Sequence, residues 1–417
     1  MSQDLIRETR KIPNLLLVDF GTLFAKVSVM SASGDARQMS DILILRNELY
    51  FLSEERVNYL QKESSGAINI RAGYYTYKQI EEKSLLFQVE ERYVQTNAMP
   101  DNAELLTLAY KNICEQIEKS MPEIAIKIVD NYRDWGVVVA VAAFETAEAR
   151  SDVERIHIAA CRRLGFQAIY LNNQLLFDYF SQLNFLKQAG SEGYAIIVNI
   201  GGGDTKTAVV SGLPMPSSFR RFPIGGQYIL LHIHNALREK YRVTGVVGET
   251  VENWLSEGGT VLGDAKSTII SWKRREIDIQ EYLNAPEMLF DWQRYWGVER
   301  RFNSIIEIII ESLEALILQT EVDIGPILSN VIILGGAAKF RGIIERIEKE
   351  LSEAFPEYKD RIRVMMGEDP QFSGINGMRN LVRLKYRDEG LLFTLLPPND
   401  DQISAIGIDW QPVESFG

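Results

Sequence analysis

Cysteine and histidine are scarce in this chain, which has 2 of the first and 3 of the second. Cys114 and Cys161 lie far apart and form no CxxC pair, so both read as small core residues in a reduced cytoplasm. His157, His232 and His234 are too few, and wrongly spaced, for the usual zinc sites. Long apolar runs are missing too: no stretch approaches the ~20 uninterrupted apolar residues of a membrane span. The segment Met1 to Asn14 is polar and mixed in charge, without the apolar core of a signal peptide. Positive charge is in deficit, with 45 Lys and Arg against 57 Asp and Glu, a formal net charge of −12. Such a surface repels phosphate backbones and anionic lipid, so no nucleic-acid partner and no membrane insertion is expected, though a local basic patch remains open.

What is present is the composition of a globular protein, 46% hydrophobic and 24% charged, in 417 residues. That length exceeds a single core of ~100–200 residues, so two or more domains are expected.

Leu15 to Asp19 is an apolar run ending in an acid; Gly21-Thr22 follows, and Ala25 to Met30 resumes the apolar pattern. This spacing predicts strand, tight turn, strand. Ala195 to Asn199, Gly201-Gly202-Gly203 and Thr207 to Val210 read the same way. Superposed, Asp19 falls on Asn199, Gly21 on Gly201, Lys26 on Lys206 and Val29 on Val209, a short match that suggests an internal duplication. Between the hairpins, Val137 to Ala143 is the continuous apolar run of a strand buried on both faces. Ser151-Asp152-Val153-Glu154 has the form of a capping box, which would start a helix running to Leu164 and stopping at Gly165. Phe166 to Leu171 then predicts a strand and Asn173 to Gln182 a helix, giving a mixed or parallel sheet covered by helices. Further on, Ile305 to Leu318 predicts a long helix, Val331 to Leu334 a buried strand, and Gly342 to Ala354 an amphipathic helix. Residues 39–77 and 227–300 lack this order and read as insertions elaborating each half.

Three glycine turns, each at the end of an apolar strand, carry the chemistry. Glycine lets backbone N–H groups approach phosphate oxygens with no Cβ in the way. The first turn adds Asp19, Thr22 and Lys26: a carboxylate suited to a hydrated Mg²⁺, a hydroxyl and an ammonium. An ordinary hairpin with a surface lysine would look the same. The second, Gly201-Gly202-Gly203-Asp204-Thr205, spends more backbone entropy than a plain hairpin needs. The third, Gly335-Gly336-Ala337-Ala338-Lys339-Phe340, lies between a strand and a helix. Neither GxxxxGK[ST] nor GxGxxG follows a strand, which disfavours the Walker and Rossmann nucleotide folds.

In combination these turns resemble a family. VDFGTLFAKV looks like the first phosphate loop of actins, NIGGGDTKT like the second, and VIILGGAAKFRGIIERIEKEL like the adenosine segment. FETAEARSDVERIHIAACRRLGFQAIYLNNQLLFDYFSQ is similar to the connecting stretch, PEMLFDWQRYWGVE to the segment before the long helix, and DPQFSGINGMRNL to the return to the first domain. The ordered motifs span about two-thirds of the chain, and the opening VDFGT and the divergent insertions look most like archaeal actins of the crenactin type. The resemblance implies an α/β, two-domain actin-like fold: duplicated ribonuclease H-like halves with inserted subdomains around an interdomain nucleotide cleft. It implies a first domain over 12–181 (39–77 inserted), a second over 182–372 (225–301 inserted), and a return to the first over 373–417.

The implied ligands are ATP or ADP with Mg²⁺. Asp19 matches the acid that orders the metal's water shell, and Gly21, Thr22, Leu23 and Lys26 match the first phosphate loop. Gln174 falls on the glutamine that positions the attacking water. Gly201, Gly202, Gly203, Thr205 and Gly226 are the second set of nucleotide-facing positions, and Gly335, Gly336, Ala337, Lys339 and Phe340 match the adenosine turn. Glu252 is a candidate ribose contact. The departures are specific: actins have an aspartate at Asn199, a second acid at Gly202 and a histidine at Lys206. Lost carboxylates remove candidate proton acceptors, for which Asp204 is the nearby substitute, so Asn199 and Asp204 join Gln174 as candidate catalytic positions. The resemblance implies a cytoplasmic, filament-forming slow ATPase whose partners are further copies of itself, head to tail, and proteins that regulate such filaments. Two other readings stay open. One is a non-polymerising relative that holds ATP as a structural or switch ligand. The other is a sugar or acetate kinase or chaperone of the same superfamily, against which stand the missing acceptor-side acid and the short chain after the return segment.

Overall fold

The computed structural model describes residues 7–10, 12, 14–21, 24–33, 36–46, 49–52, 54–63, 73–76, 93–94, 103–121, 127–141, 147–188, 193–241, 248–272, 275–297, 301–318, 323–388 and 391–396. The chain divides into two compact units, Met1–Gln174 with Met378–Gly417, and Leu175–Gly377. Both are α/β.

Among the described residues the first unit holds an eight-stranded sheet. Its strands are β1 (Arg7–Arg10), β2 (Asn14–Phe20), β3 (Phe24–Ser33), β4 (Ala36–Met39), β5 (Leu43–Arg46), β9 (Trp135–Val141), β10 (Ala168–Asn173) and β19 (Leu391–Leu395). They run in the order β1-β19-β10-β9-β2-β3-β4, with β5 also on β3. Strand β9 reads WGVVVAV and is buried throughout, because it pairs in parallel with β2 and β10 and has no solvent edge. Helices Ala103–Ser120 and Ala147–Leu164 pack together, and Tyr110, Cys114, His157, Cys161 and Phe166 are buried there. A smaller sheet, β7-β6-β8, is built from β6 (Leu49–Leu52), β7 (Gly73–Thr76) and β8 (Tyr93–Val94), with helix Glu54–Glu63 between β6 and β7 in sequence.

The second unit holds a six-stranded sheet of β11 (Tyr194–Ile200), β12 (Thr205–Ser211), β13 (Leu213–Pro214), β14 (Arg220–Phe222), β17 (Val331–Leu334) and β18 (Val364–Met366). The order is β13-β12-β11-β17-β18, with β14 also on β12. Helix Ile305–Ile317 packs on β12 and β14. The segment read as an insertion in the second half carries helices Gly226–Tyr241 and Gly248–Gly258 and the hairpin β15 (Ile269–Trp272) and β16 (Arg275–Asp278).

The duplication suggested by the two hairpins extends to register. Strands β2 and β11 begin at Asn14 and Tyr194, 180 residues apart, and each pairs antiparallel with the next strand, Asp19 opposite Lys26 and Asn199 opposite Lys206. Each then pairs in parallel on its other side, β2 with β9 and β11 with β17. The strand–helix–strand that follows starts at Trp135, Ala147 and Ala168 in one unit and at Val331, Ile343 and Val364 in the other, a constant offset of 196.

One local expectation is corrected. The helix starts at Ala147, a turn before Ser151, so Ser151 to Glu154 lies inside it and caps nothing at its start. Ala147-Glu148-Ala149-Arg150 is a run of strong helix formers, which extends the helix past the apparent box. The next strand falls at Ala168–Asn173, shifted by two residues at the same length, and the next helix at Gln174–Gln188, longer than its pattern suggests. No helix among the described residues is long and apolar enough to cross a membrane.

Candidate functional site

In the second unit the β11–β12 ladder closes at Ile200 opposite Thr205, leaving Gly201 to Asp204 as the turn. The Gly201 N–H donates to the Asp204 carbonyl at 2.8 Å. The carbonyls of Gly201 and Gly202 accept from the N–H groups of Gly226 and Gln227, at 3.0 and 2.7 Å. Those two N–H groups open helix Gly226–Tyr241, so the turn satisfies donors that a helix start leaves without an internal partner. The packing is close enough to demand glycine at position 225, where a Cβ would sit 2.7 Å from the Gly202 carbonyl oxygen and 2.8 Å from the Asp204 nitrogen.

The polar groups around this turn are tightly engaged. Asp204 is buried, with Oδ1 2.8 Å from Lys206 Nζ and Oδ2 2.6 Å from Arg221 Nε. Burial pushes its carboxyl pKa up, but the two cations and their hydrogen bonds outweigh that and hold it below the usual carboxylate value. Asn199 is also buried, and its amide donates to Asp178 Oδ2 at 2.7 Å. Asp178 Oδ1 accepts from Ser373 Oγ at 2.6 Å. Thr205 donates its hydroxyl to the Ile224 carbonyl, one residue before Gly225.

The third turn leaves β17 at Gly335, which has φ 96° and donates its N–H to the Pro370 carbonyl at 2.8 Å. A side chain here would collide with the Ile200 carbonyl and stand 2.7 Å from Asn199 Oδ1. Gly336 to Lys339 form a short 3₁₀ turn, and space around Gly336 is open. A Cβ on Gly226 would reach Ala337 Cβ at 4.0 Å, so the second and third glycine turns meet. Lys339 Nζ donates to Gln371 Oε1 at 2.8 Å. Phe340 lies against Gly259, just beyond the C-terminal end of helix Gly248–Gly258, which also carries the half-buried Glu252.

The first turn belongs to the other unit. Asp19 is buried at the end of β2, and Lys26 Nζ lies 3.2 Å from its Oδ2. The Gly21 N–H donates to the Asp19 carbonyl at 3.1 Å. Thr22 and Leu23 lie outside the described residues. Beneath the turn, Phe20 meets Tyr110 edge-on at 5.0 Å, and the Tyr110 hydroxyl is 2.8 Å from His157 Nδ1. Burial lowers the His157 pKa to about 3. Gln174, half-buried, is the last residue of this unit and the first of helix Gln174–Gln188.

The predicted positions thus fall into two groups. Asp19, Gly21, Lys26 and Gln174 lie in the first unit; Asn199, Gly201 to Thr205, Gly226, Glu252 and Gly335 to Phe340 lie in the second. Within the second, the structure brings the glycine turns together and adds residues that the sequence did not single out: Asp178, Ser373, Arg221 and Gly225. No signal in the sequence singles out Asp178, one of several polar residues in helix Gln174–Gln188.

Among the described residues no group of three or more His, Cys, Asp or Glu is placed to hold a metal ion. A lone buried carboxylate such as Asp19 fits Mg²⁺, which keeps several waters and relies on one or two carboxylates plus substrate phosphates.

No curated protein matches the chain. Residues 267–381 match the family model for Actin, a span that includes the third glycine turn and the return segment but not the first two turns. Over that span the chain is similar to actins, and its two α/β units are consistent with an actin-like two-domain fold.

Proposed function

We propose that this protein binds ATP with Mg²⁺, assembles head to tail into filaments, and hydrolyses the nucleotide slowly. The observation that carries the reading is the close packing of the two glycine turns: a Cβ on Gly335 would collide with the Ile200 carbonyl and Asn199 Oδ1, one on Gly225 with the carbonyls of Gly201 and Gly202, and Gly226 lies beside Ala337. Phosphate oxygens are assigned to the Gly201–Gly203 turn, and the adenosine to the Gly335–Phe340 turn, where open space at Gly336 and the Phe340 ring support it. Glu252 is assigned to the ribose. Lys26 is assigned to phosphate and Asp19 to the metal's water shell; bound Mg²⁺ supplies charge neutralisation on the phosphates. Gln174 orients the attacking water for in-line displacement. Head-to-tail contacts that do not close into a ring give an open helical polymer. The opening VDFGT favours a relative of archaeal actins, working in the cytoplasm.

A second reading, ATP held as a structural ligand with little turnover, is favoured by the turn's own chemistry. The Asn199 amide is committed to Asp178, and both Asp204 oxygens to Lys206 and Arg221. A carboxyl held ionised by two cations accepts protons poorly, so Asp204 is a weak general base.

Titration of the purified protein with a fluorescent ATP analogue, with and without Mg²⁺, tests the binding step. Saturable binding that Gly335→Ala weakens at least ~10-fold is expected, since the new methyl must displace backbone. Absence of adenine-nucleotide binding in the presence of Mg²⁺ would reject the proposal. Pelleting and phosphate release, measured together after ATP addition, separate the two readings.

A further inference from the structure

Helix Gln174–Gln188 buries two polar side chains completely, Asp178 and Gln182, on one face and four residues apart. Burying such groups is costly unless their hydrogen bonds are met, and apolar residues would pack this helix more cheaply. Each is spent on a distant piece of chain. Asp178 takes the Asn199 amide at 2.7 Å with one oxygen and the Ser373 hydroxyl at 2.6 Å with the other. Gln182 binds the backbone of Glu368 in both directions, accepting from its N–H at 2.8 Å and donating to its carbonyl at 3.0 Å.

The segment 368–373 held in this way is itself the support of the third glycine turn. The Pro370 carbonyl accepts the Gly335 N–H at 2.8 Å, and Gln371 accepts from Lys339. It also contains Asp369, at φ 44° and ψ 56°, the one non-glycine residue of positive φ among those described. Such a conformation costs free energy and persists only where surrounding contacts over-determine it. From the other side, Asn199 Oδ1 stands against Gly335, 2.7 Å from where a Cβ would be. Gly335 is therefore fixed by two chains of contact, through Asn199 and through 368–373, and both lead back to one helix face.

We propose that Asp178 and Gln182 are positioning residues: by holding Asn199 and segment 368–373 they set the backbone of Gly335 in the geometry that receives the nucleotide, without touching it. The link to nucleotide rests on the function proposed above; the positioning of Gly335 does not.

An exchange of the two partners tests this. Asn199→Asp alone sets two buried carboxylates against each other and removes the donor between them. Adding Asp178→Asn restores the pair with its polarity reversed, since the new amide donates to position 199 while its oxygen still accepts from Ser373. Amide hydrogen exchange at Gly335 and Glu368 is measured in the full chain, alongside affinity for Mg²⁺ and a fluorescent ATP analogue. Asn199→Asp is expected to speed exchange at both amides and weaken affinity, each by about tenfold or more, and the double variant to return both to within about threefold. Unchanged exchange in Asn199→Asp, or a folded double variant that recovers neither property, overturns the proposal. Should the single variant fail to fold, the double variant decides alone: native exchange at Gly335 and Glu368 upholds the positioning role, and anything else removes it. A wild-type protein that binds no nucleotide rejects the proposed function, while the exchange rates still judge the positioning.

Discussion

His157 is neutral, buried and hydrogen-bonded to Tyr110 directly below the first glycine turn. Burial sets its pKa at about 3, against the ordinary 6.5. Between those values the unfolded chain binds a proton that the folded chain refuses. Stability therefore rises with pH through this window and is lost as pH falls from about 6.5 toward 3, at up to ~1.4 kcal/mol per pH unit. Chemical denaturation at pH 7 and pH 5 should show the loss, and His157→Gln should flatten the dependence. At this scale the sequence was uneven. Glycines were legible because their role is a local backbone requirement. Asp178 was not, because its partners Asn199 and Ser373 lie 21 and 195 residues away and only folding brings them to it.

Among the elements, helix Ile305–Ile317 is capped at its start by a serine. Ser304 Oγ accepts from the N–H groups of Ile306 and Glu307, at 3.1 and 3.3 Å. Ser304→Ala should cost about 1 kcal/mol, read as a lower urea midpoint, because those donors then lose their partner. Ser151 to Glu154 misled because the same residue spacing arises inside a helix whenever the residues before it also favour helix. The hairpins were readable from apolar runs flanking glycine turns. Their duplication extends further than sequence identity suggested, since the offset of 196 is carried by burial and pairing rather than by matching side chains. Apolar residues interchange freely on a buried strand, so architecture outlasts the letters that encode it.

For the molecule as a whole, the insertion within residues 39–77 is expected to contribute contacts to the proposed assembly. Leu52 and Gly73 are paired neighbours in the β6–β7 ladder, so a short Gly-Ser linker can replace residues 54–72 without parting the strands. This variant should keep its nucleotide affinity and fail to pellet with ATP. Normal filaments would remove that segment from the polymer contacts. Chain length pointed to two or more domains, and the resemblance implied crossings at 181/182 and 372/373; the chain passes between its compact units at 174/175 and 377/378. Hydrophobic pattern does not mark such a crossing, because helices Gln174–Gln188 and Ser373–Asp388 carry the chain across it without a break in periodicity.

The second unit is one continuous stretch of chain, whereas the first is written in two pieces. Strand β19 lies between β1 and β10 and pairs with both. On the ribosome, then, β10 waits for its antiparallel neighbour, and β1 for its place at the edge, until residues 391–395 emerge, after the later-made unit has its last described strand at Val364–Met366. Synthesis order and completion order are reversed, and the unfinished sheet presents an open edge for chaperones to cover in the meantime.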